Sequence, residues 1–257
     1  MKLYYLLVLC LLATNVTASQ IVKVGLYDFP PYAFVAEKSS SITMQMIDVM
    51  NKFQSDYEFV GVPTTSKRRY LDFQNKKFDM IMFESKKWGW QDYPVVASIA
   101  FATGFEVYTT LAKPERDQRF FSDFKNKVMI GVLGYHYQFA DFSTDAEFLS
   151  KNFKLIQTDG QKKSLELILN DRGDIAVLSR EYLNYHFMHF PKDEAKLLIS
   201  EKFDQIYRHT ILVRENSHIS IDYINQLLGQ MNHQGILAAL LGKYGLEITP
   251  HKITPKG

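Results

Sequence analysis

The spacing of apolar and polar residues predicts two successive strand–helix series. Ile21 to Tyr27 (IVKVGLY) alternates and is β-branched, as a strand requires. Pro30-Pro31 stops it, because paired prolines cannot donate to a sheet ladder. Ser39-Ser40-Ser41 is a flexible or capping stretch, and apolar residues at 42, 46, 47, 49, 50 and 53 then share one helical face. Tyr57 to Val62 predicts a second strand, Ser66 to Asn75 a helix, and Phe78 to Phe83 (FDMIMF) a short buried strand.

The second series runs over Gly104 to Leu111, a strand, Phe120 to Lys127, a short helix or turn, and Val128 to Leu133, a strand. A helix over Asp141 to Asn152 and a strand over Phe153 to Thr158 follow. Then come a helix over Lys162 to Asn170, a strand over Asp174 to Leu178 and a helix over Glu181 to Phe190. Tyr207 to Val213 (YRHTILV) predicts a returning strand, before helices over Ile219 to Met231 and Gly235 to Lys243. Alternating strands and helices predict parallel α/β sheets. Two series predict two lobes with a cleft, and ligands of such sheets bind beyond the carboxyl ends of the strands.

Residues 1–18 predict export. Leu3 to Ala13 is uninterrupted apolar sequence after Lys2, and Val16-Thr17-Ala18 suits a signal peptidase. The run is about half of the roughly 20 residues that span a bilayer, so release is expected. Cys10, the only cysteine, lies in this segment. Leu9 precedes it, where a lipoprotein signal carries Gly, Ala or Ser. The exported chain therefore has to be stable without disulfides. About 240 residues remain, enough for one large domain or two small ones. A formal charge of +2 lacks the basic surplus of a nucleic-acid binder, so no nucleic acid is expected as a partner. Gly131-x-x-Gly134 makes no dinucleotide fingerprint, and no phosphate loop or catalytic triad is visible, so no cofactor is expected. His186 and His189 have a metal-ligand spacing but no third ligand, so no metal is expected.

Five segments, in order, resemble the bacterial periplasmic solute-binding proteins of the amino-acid type (family 3). They are Pro30-Pro31-Tyr32 after the first strand, and Asp79 in KKFDMIMF. Next come Phe121-Ser122-Asp123-Phe124-Lys125-Asn126-Lys127 running into Val128 to Val132, and Gly173-Asp174-Ile175-Ala176. The last is Gly235-Ile236-Leu237 through Lys243-Tyr244-Gly245. The resemblance covers nearly all of the exported chain. It implies an α/β, two-lobed periplasmic-binding-protein-like (type II) fold, with two lobes joined by two hinge strands. Lobe 1 would comprise residues 20–107 plus 211–257 and lobe 2 residues 108–210.

Several residues are expected at the cleft. Phe29, Tyr32 and Phe34 follow the first strand, where the family covers its ligand with an aromatic; Tyr32 is the candidate, and Phe34 is expected in packing. Glu84, Ser85 and Trp88 follow FDMIMF, where the family usually grips a ligand carboxylate with an arginine fork. No arginine lies between Arg69 and Arg116. Lys86 and Lys87 cannot make that fork, and Arg68, or Arg69 beside it, could replace it. Gly134-Tyr135-His136-Tyr137 predicts a glycine turn whose free N–H groups face an anion, with Tyr135 or His136 at the cleft. Ser179 stands where the family often pairs an aspartate with the ligand ammonium, and Arg180 and Glu181 follow. Thr158, Asp159 and Gly160 read as a plain turn.

The implied function is a periplasmic, monomeric binding protein. It captures a small polar solute and presents it to a membrane permease or receptor, without catalysis. The alternatives are a sensory or orphan binding protein and a dehydratase-like enzyme on the same fold, for which Glu84 would be the general acid.

Overall fold

The computed structural model describes residues 19–34 and 41–249. The expected signal segment, Cys10 and Ser39-Ser40 lie outside the described residues. Ten strands form one continuous, sharply divided sheet ordered β2-β1-β3-β9-β5-β8-β6-β7, with β4 on β9 and β10 on β5. Strands β1 (Gln20–Leu26), β2 (Tyr57–Pro63) and β3 (Met80–Glu84) are mutually parallel, with β1 central. Strands β6 (Val128–Val132), β7 (Lys154–Thr158) and β8 (Ile175–Ser179) repeat that arrangement around β6. Two long antiparallel strands connect the triads. They are β5 (Ala102–Leu111), which pairs with β8, and β9 (Leu197–Arg214), which pairs with both β5 and β3. Strands β4 (Val95–Ala97) and β10 (Glu247–Ile248) are short edge additions.

Helices cover both triads. The first carries α1 (Ile42–Phe53), α2 (Arg69–Gln74), α6 (Ile221–His233) and α7 (Ile236–Gly242). Its core joins Val22 and Val24 of β1 to Met46 and Met50 of α1 and to Leu227 and Leu241 of the last helices. Ser41 caps α1, its hydroxyl accepting from Met44 N at 3.3 Å. Helices α3 (Ala146–Asn152), α4 (Gln161–Leu169) and α5 (Arg180–His189) belong to the second triad. There the strand period of two sorts the core into two faces. Val107, Ile130, Ala176 and Leu178 pack under α4 and α5. Their chain neighbours Tyr108, Met129, Ile175 and Val177 pack with Phe121 and Tyr137 on the other face.

Three expectations need correction. The helix expected from Asp141 starts only at Ala146. Asp141 and Phe142 are left-handed (φ 51° and 59°), and Asp145 caps the helix by accepting from Phe148 N at 2.7 Å. The helix or turn expected over Phe120 to Lys127 is a 3-10 turn at Gln118–Phe121. The strand expected over Tyr207 to Val213 is eighteen residues long. Ser200, Glu201, Asp204 and Gln205 broke the apolar alternation over its first half. No helix among the described residues is long and apolar enough to cross a membrane.

Candidate functional site

The carboxyl ends of β1, β3, β6, β7 and β8 converge on one region, as the parallel triads require. A closed cavity lies there. Tyr27, Phe29, Arg69 and Trp88 line it from the first triad, and Tyr135 and His136 from the second, with Glu106 of β5 between. Its free volume is about 10 Å³, the room of a single water. Direct bonds shut it. The Tyr135 hydroxyl donates to Asp28 O (3.0 Å), Gln161 Nε2 to Pro30 O (3.2 Å) and the Ser66 hydroxyl to Leu133 O (2.9 Å). An open apolar groove of about 490 Å³ runs separately between the 28–34 loop and helices α4 and α5.

Of the residues expected at the cleft, Trp88, Tyr135 and His136 line this cavity. The Trp88 indole N–H donates to Gln205 Oε1 at 3.2 Å, and its ring meets Tyr207 edge-on at 4.8 Å. His136 is fixed through Nδ1 to Phe142 O (2.7 Å) and Nε2 to the Tyr70 hydroxyl (2.9 Å). Burial pulls its pKa down to about 4, so it is neutral near pH 7. Tyr32 sits one layer behind, between Phe29 (4.6 Å), Phe83 (5.0 Å) and His209 (4.5 Å). Ser85 is half-buried and accepts from Lys87 N (3.3 Å). Ser179 caps α5, accepting from Tyr182 N at 3.2 Å, and its own N–H goes to Gln161 Oε1 at 2.8 Å. Asp79 accepts from Lys23 N (2.9 Å) just ahead of β3, a structural role. Thr158 closes its turn onto Gly160 O (3.0 Å), and Phe34 packs on Tyr185. His186 meets Asp193 and His189 meets Tyr185 O, so the two imidazoles do not converge.

Arg68 points away from the cavity. Its side chain is 67% exposed beside Asp72. Arg69 occupies the cavity wall instead, because consecutive helical residues diverge by about 100°. Its guanidinium lies over Tyr27 (4.8 Å) and Tyr70 (4.5 Å), and one Nη donates to Ser66 O. Its Nε stands 3.2 Å from Glu84 Oε1, an ion contact in which both side chains are fully buried but the hydrogen-bond angle is poor. The Trp90 indole N–H donates to the other Glu84 oxygen at 2.9 Å. Burial pushes the Glu84 carboxyl up, and Arg69, Trp90 and Tyr27 pull it back; the same contact raises Arg69. We take the pair as ionised, because both donors stabilise the carboxylate. Glu84 is therefore not a free acid facing the cleft.

The turn after β6 also differs from expectation. Gly134 is left-handed (φ 80°), as a tight turn needs. Several N–H groups that follow are taken by the protein, Tyr135 N by Val132 O at 3.1 Å among them. Gln138 N and Phe139 N both donate to Asp204 of β9, at 2.8 and 2.9 Å.

No family model matches the chain, and no curated protein sequence matches it. Solved structures do. The substrate-binding protein of an amino-acid ABC transporter superposes with TM-score 0.69 at 15% identity, covering 88% of this chain and 99% of its own. The GluR0 ligand-binding core from Nostoc punctiforme, in complex with L-glutamate, gives 0.66 at 13%, covering 88% and 99%. An ancestral amino-acid-binding protein, a precursor of cyclohexadienyl dehydratase, gives 0.67 at 18%, covering 87% and 94%. The chain has the two-lobed periplasmic-binding-protein fold. Its lobes are the two triads, and β5 and β9 are the strands that join them.

The sequence reading missed the residues that β5 and β9 bring to the cleft of this binding-protein fold. Glu106 is 4% exposed and accepts from Gln205 Nε2 at 2.5 Å. Burial, with Asp204 and Glu181 nearby, holds its pKa well above the usual carboxylate range. Burial likewise lifts Glu181 to about 7. Gly104 clears the space for Tyr207 and His209: a Cβ there would lie 2.2 Å from one ring and 2.6 Å from the other. Neither nitrogen of His209 makes a well-formed hydrogen bond, although the Phe83 backbone lies close. Burial depresses its pKa from 6.5 to about 3.

A depressed histidine contributes stability above its unfolded pKa of 6.5, and that contribution disappears as pH falls toward 3. His209→Phe should therefore have a flatter acid limb. Its stability relative to the parent should rise between pH 7 and pH 4 by on the order of 3 kcal/mol. Parallel curves of melting temperature against pH would count against a buried neutral His209.

Proposed function

We propose that this chain is an extracytoplasmic solute-binding protein. It captures a small polar solute between its lobes and presents it to a membrane transporter. One observation carries the reading: the strand ends of two parallel triads face each other across a polar and aromatic cavity, and among the described strands β5 and β9 link the two halves of the sheet. A lobe division at 20–107 plus 211–257 against 108–210 accords with the packing. Ala102 and Ile211 sit in the first core and Tyr108 in the second pair, while Val107 and Tyr207, at the edges of the division, pack with the opposite lobe. Because the closed cavity has room for about one water, capture requires the lobes to part about these strands. Closure then excludes water, so a few fixed polar groups select the solute.

The proposal places the protein in the periplasm, exported by residues 1–18 and monomeric, with a permease as the partner that reads the closed form. It is a divergent member of the amino-acid-type binding proteins in this reading. Catalysis is not part of it, since Glu84, the general acid an enzyme would use, is tied to Arg69 and Trp90.

Thermal-shift screening against amino acids, small di-acids, polyamines and cyclic acids tests it. A solute at about 100 times its Kd should add roughly 2.7 kcal/mol of stability. The absence of any response across the panel would count against solute capture.

A further inference from the structure

We infer that the cleft selects an organic amine that carries no carboxylate, rather than an α-amino acid. This rests on the solute-binding reading and names its ligand class. An α-amino acid needs two opposite partners, a cationic fork or free N–H groups for its carboxylate and an acid for its ammonium. In this cleft the protein's own groups engage donors at both carboxylate-binding positions. Arg69 contacts Glu84 at 3.2 Å, donates to the Ser66 carbonyl and is stacked between Tyr27 and Tyr70. The N–H groups at Gln138 and Phe139 are taken by Asp204. A ligand carboxylate would be placed beside a buried protein carboxylate at either of them.

The acid that an ammonium needs is present, and no cation of the described residues is paired with it. Glu106 borders the cavity, and among the described residues no Lys, Arg or His forms an ion pair with it. Behind the cavity wall the Tyr32 hydroxyl faces the Tyr207 hydroxyl and the Glu181 carboxyl, and these three buried groups interact with one another without well-formed hydrogen bonds. They are 1%, 5% and 2% exposed by residue, so water does not reach them freely.

The walls fit the same guest. Trp88 and Tyr135 stand nearly perpendicular to Phe29, at 84° and 88° with centroids 6.0 and 5.4 Å away. An aromatic ring whose face meets a cation attracts it through the ring quadrupole, and these three rings line the cavity with Glu106. The space beside Glu106 is water-sized in the closed form, which is the size of an ammonium head.

The test uses matched pairs that differ only by the carboxylate: cadaverine and lysine, agmatine and arginine, tyramine and tyrosine, ethanolamine and serine. Calorimetric titration of the full exported chain should find at least one amine that binds tenfold or more tighter than its amino acid. Glu106→Gln, which preserves shape, should weaken that amine at least tenfold. Tyr135→Leu removes a wall without altering a buried charge and should weaken it as well, which covers the case of a Glu106→Gln variant that does not fold. An amino acid that binds as tightly as its amine, or tighter, overturns the inference and leaves solute binding standing. If no member of any pair and no solute of the wider panel binds, both readings fall.

Discussion

Arg69→Ala should lower the stability of the folded chain by about 3–5 kcal/mol, the cost of leaving one partner of a buried ion pair uncompensated. For a chain of this size that is on the order of 10 °C in melting temperature. The cause is Glu84. It is fully buried, and Arg69 is the only cation that forms an ion pair with it among the described residues. Its pKa is already raised from 4.5 by burial, and losing Arg69 raises it further. A raised carboxyl contributes its stability below the unfolded pKa, and that contribution is lost as pH rises through the folded value. The deficit of Arg69→Ala against the parent should therefore be largest at pH 8 and shrink as pH falls toward 4.5. Replacing both partners, as Arg69→Met with Glu84→Leu, should restore much of the loss, because no buried charge is then left alone. Chemical denaturation of the parent and the three variants at pH 5 and pH 8 measures this. An Arg69→Ala cost below about 1 kcal/mol at pH 8 would mean that the pair is not charged.

Trp90→Ala should be comparably damaging. Trp90 is fully buried and packs on Tyr70 (4.8 Å), Phe73 (5.3 Å) and Tyr93 (5.6 Å). Removing so large a core side chain costs about 3–5 kcal/mol through lost burial and the cavity left behind. The indole N–H bond to Glu84 adds to this, since hydrogen bonds to charged groups contribute about 1.5–3 kcal/mol. Trp90→Phe separates the two, keeping most of the ring and losing only the donor. Because Trp90 and Arg69 act on one carboxylate, their combined effect should differ from the sum of the single effects. Strict additivity in a double-mutant cycle would show that they act on different groups.

Much of the architecture was legible because its signals are local. The alternation in IVKVGLY, the helical face of Ile42 to Phe53 and the run VMIGVL each belong to one element, and each folds as read. The site was less legible because it is built from side chains whose partners are far away in sequence. Trp88, Tyr135 and His136 could be placed by their position after a strand. The choice between Arg68 and Arg69 depended on the phase of a six-residue helix, and no apolar stripe is long enough there to fix it. Glu106 did carry a signal. A carboxylate within the apolar strand GFEVYTTL is costly to bury and therefore marks a special position. His209 within YRHTILV marks another. The Asp204 bonds to the turn after β6 had no such signal, since they depend on the first half of β9 reaching that turn.

The most direct test of a cleft that closes on a solute is hydrogen–deuterium exchange, with and without the solute that stabilises the chain most. Protection should rise together at residues 28–34, 66–70, 84–90, 134–139 and 179–182, the segments that meet across the cavity, with little change in α3 or α6. Protection confined to the groove of α4 and α5, or absent from both sides of the cavity, would contradict it.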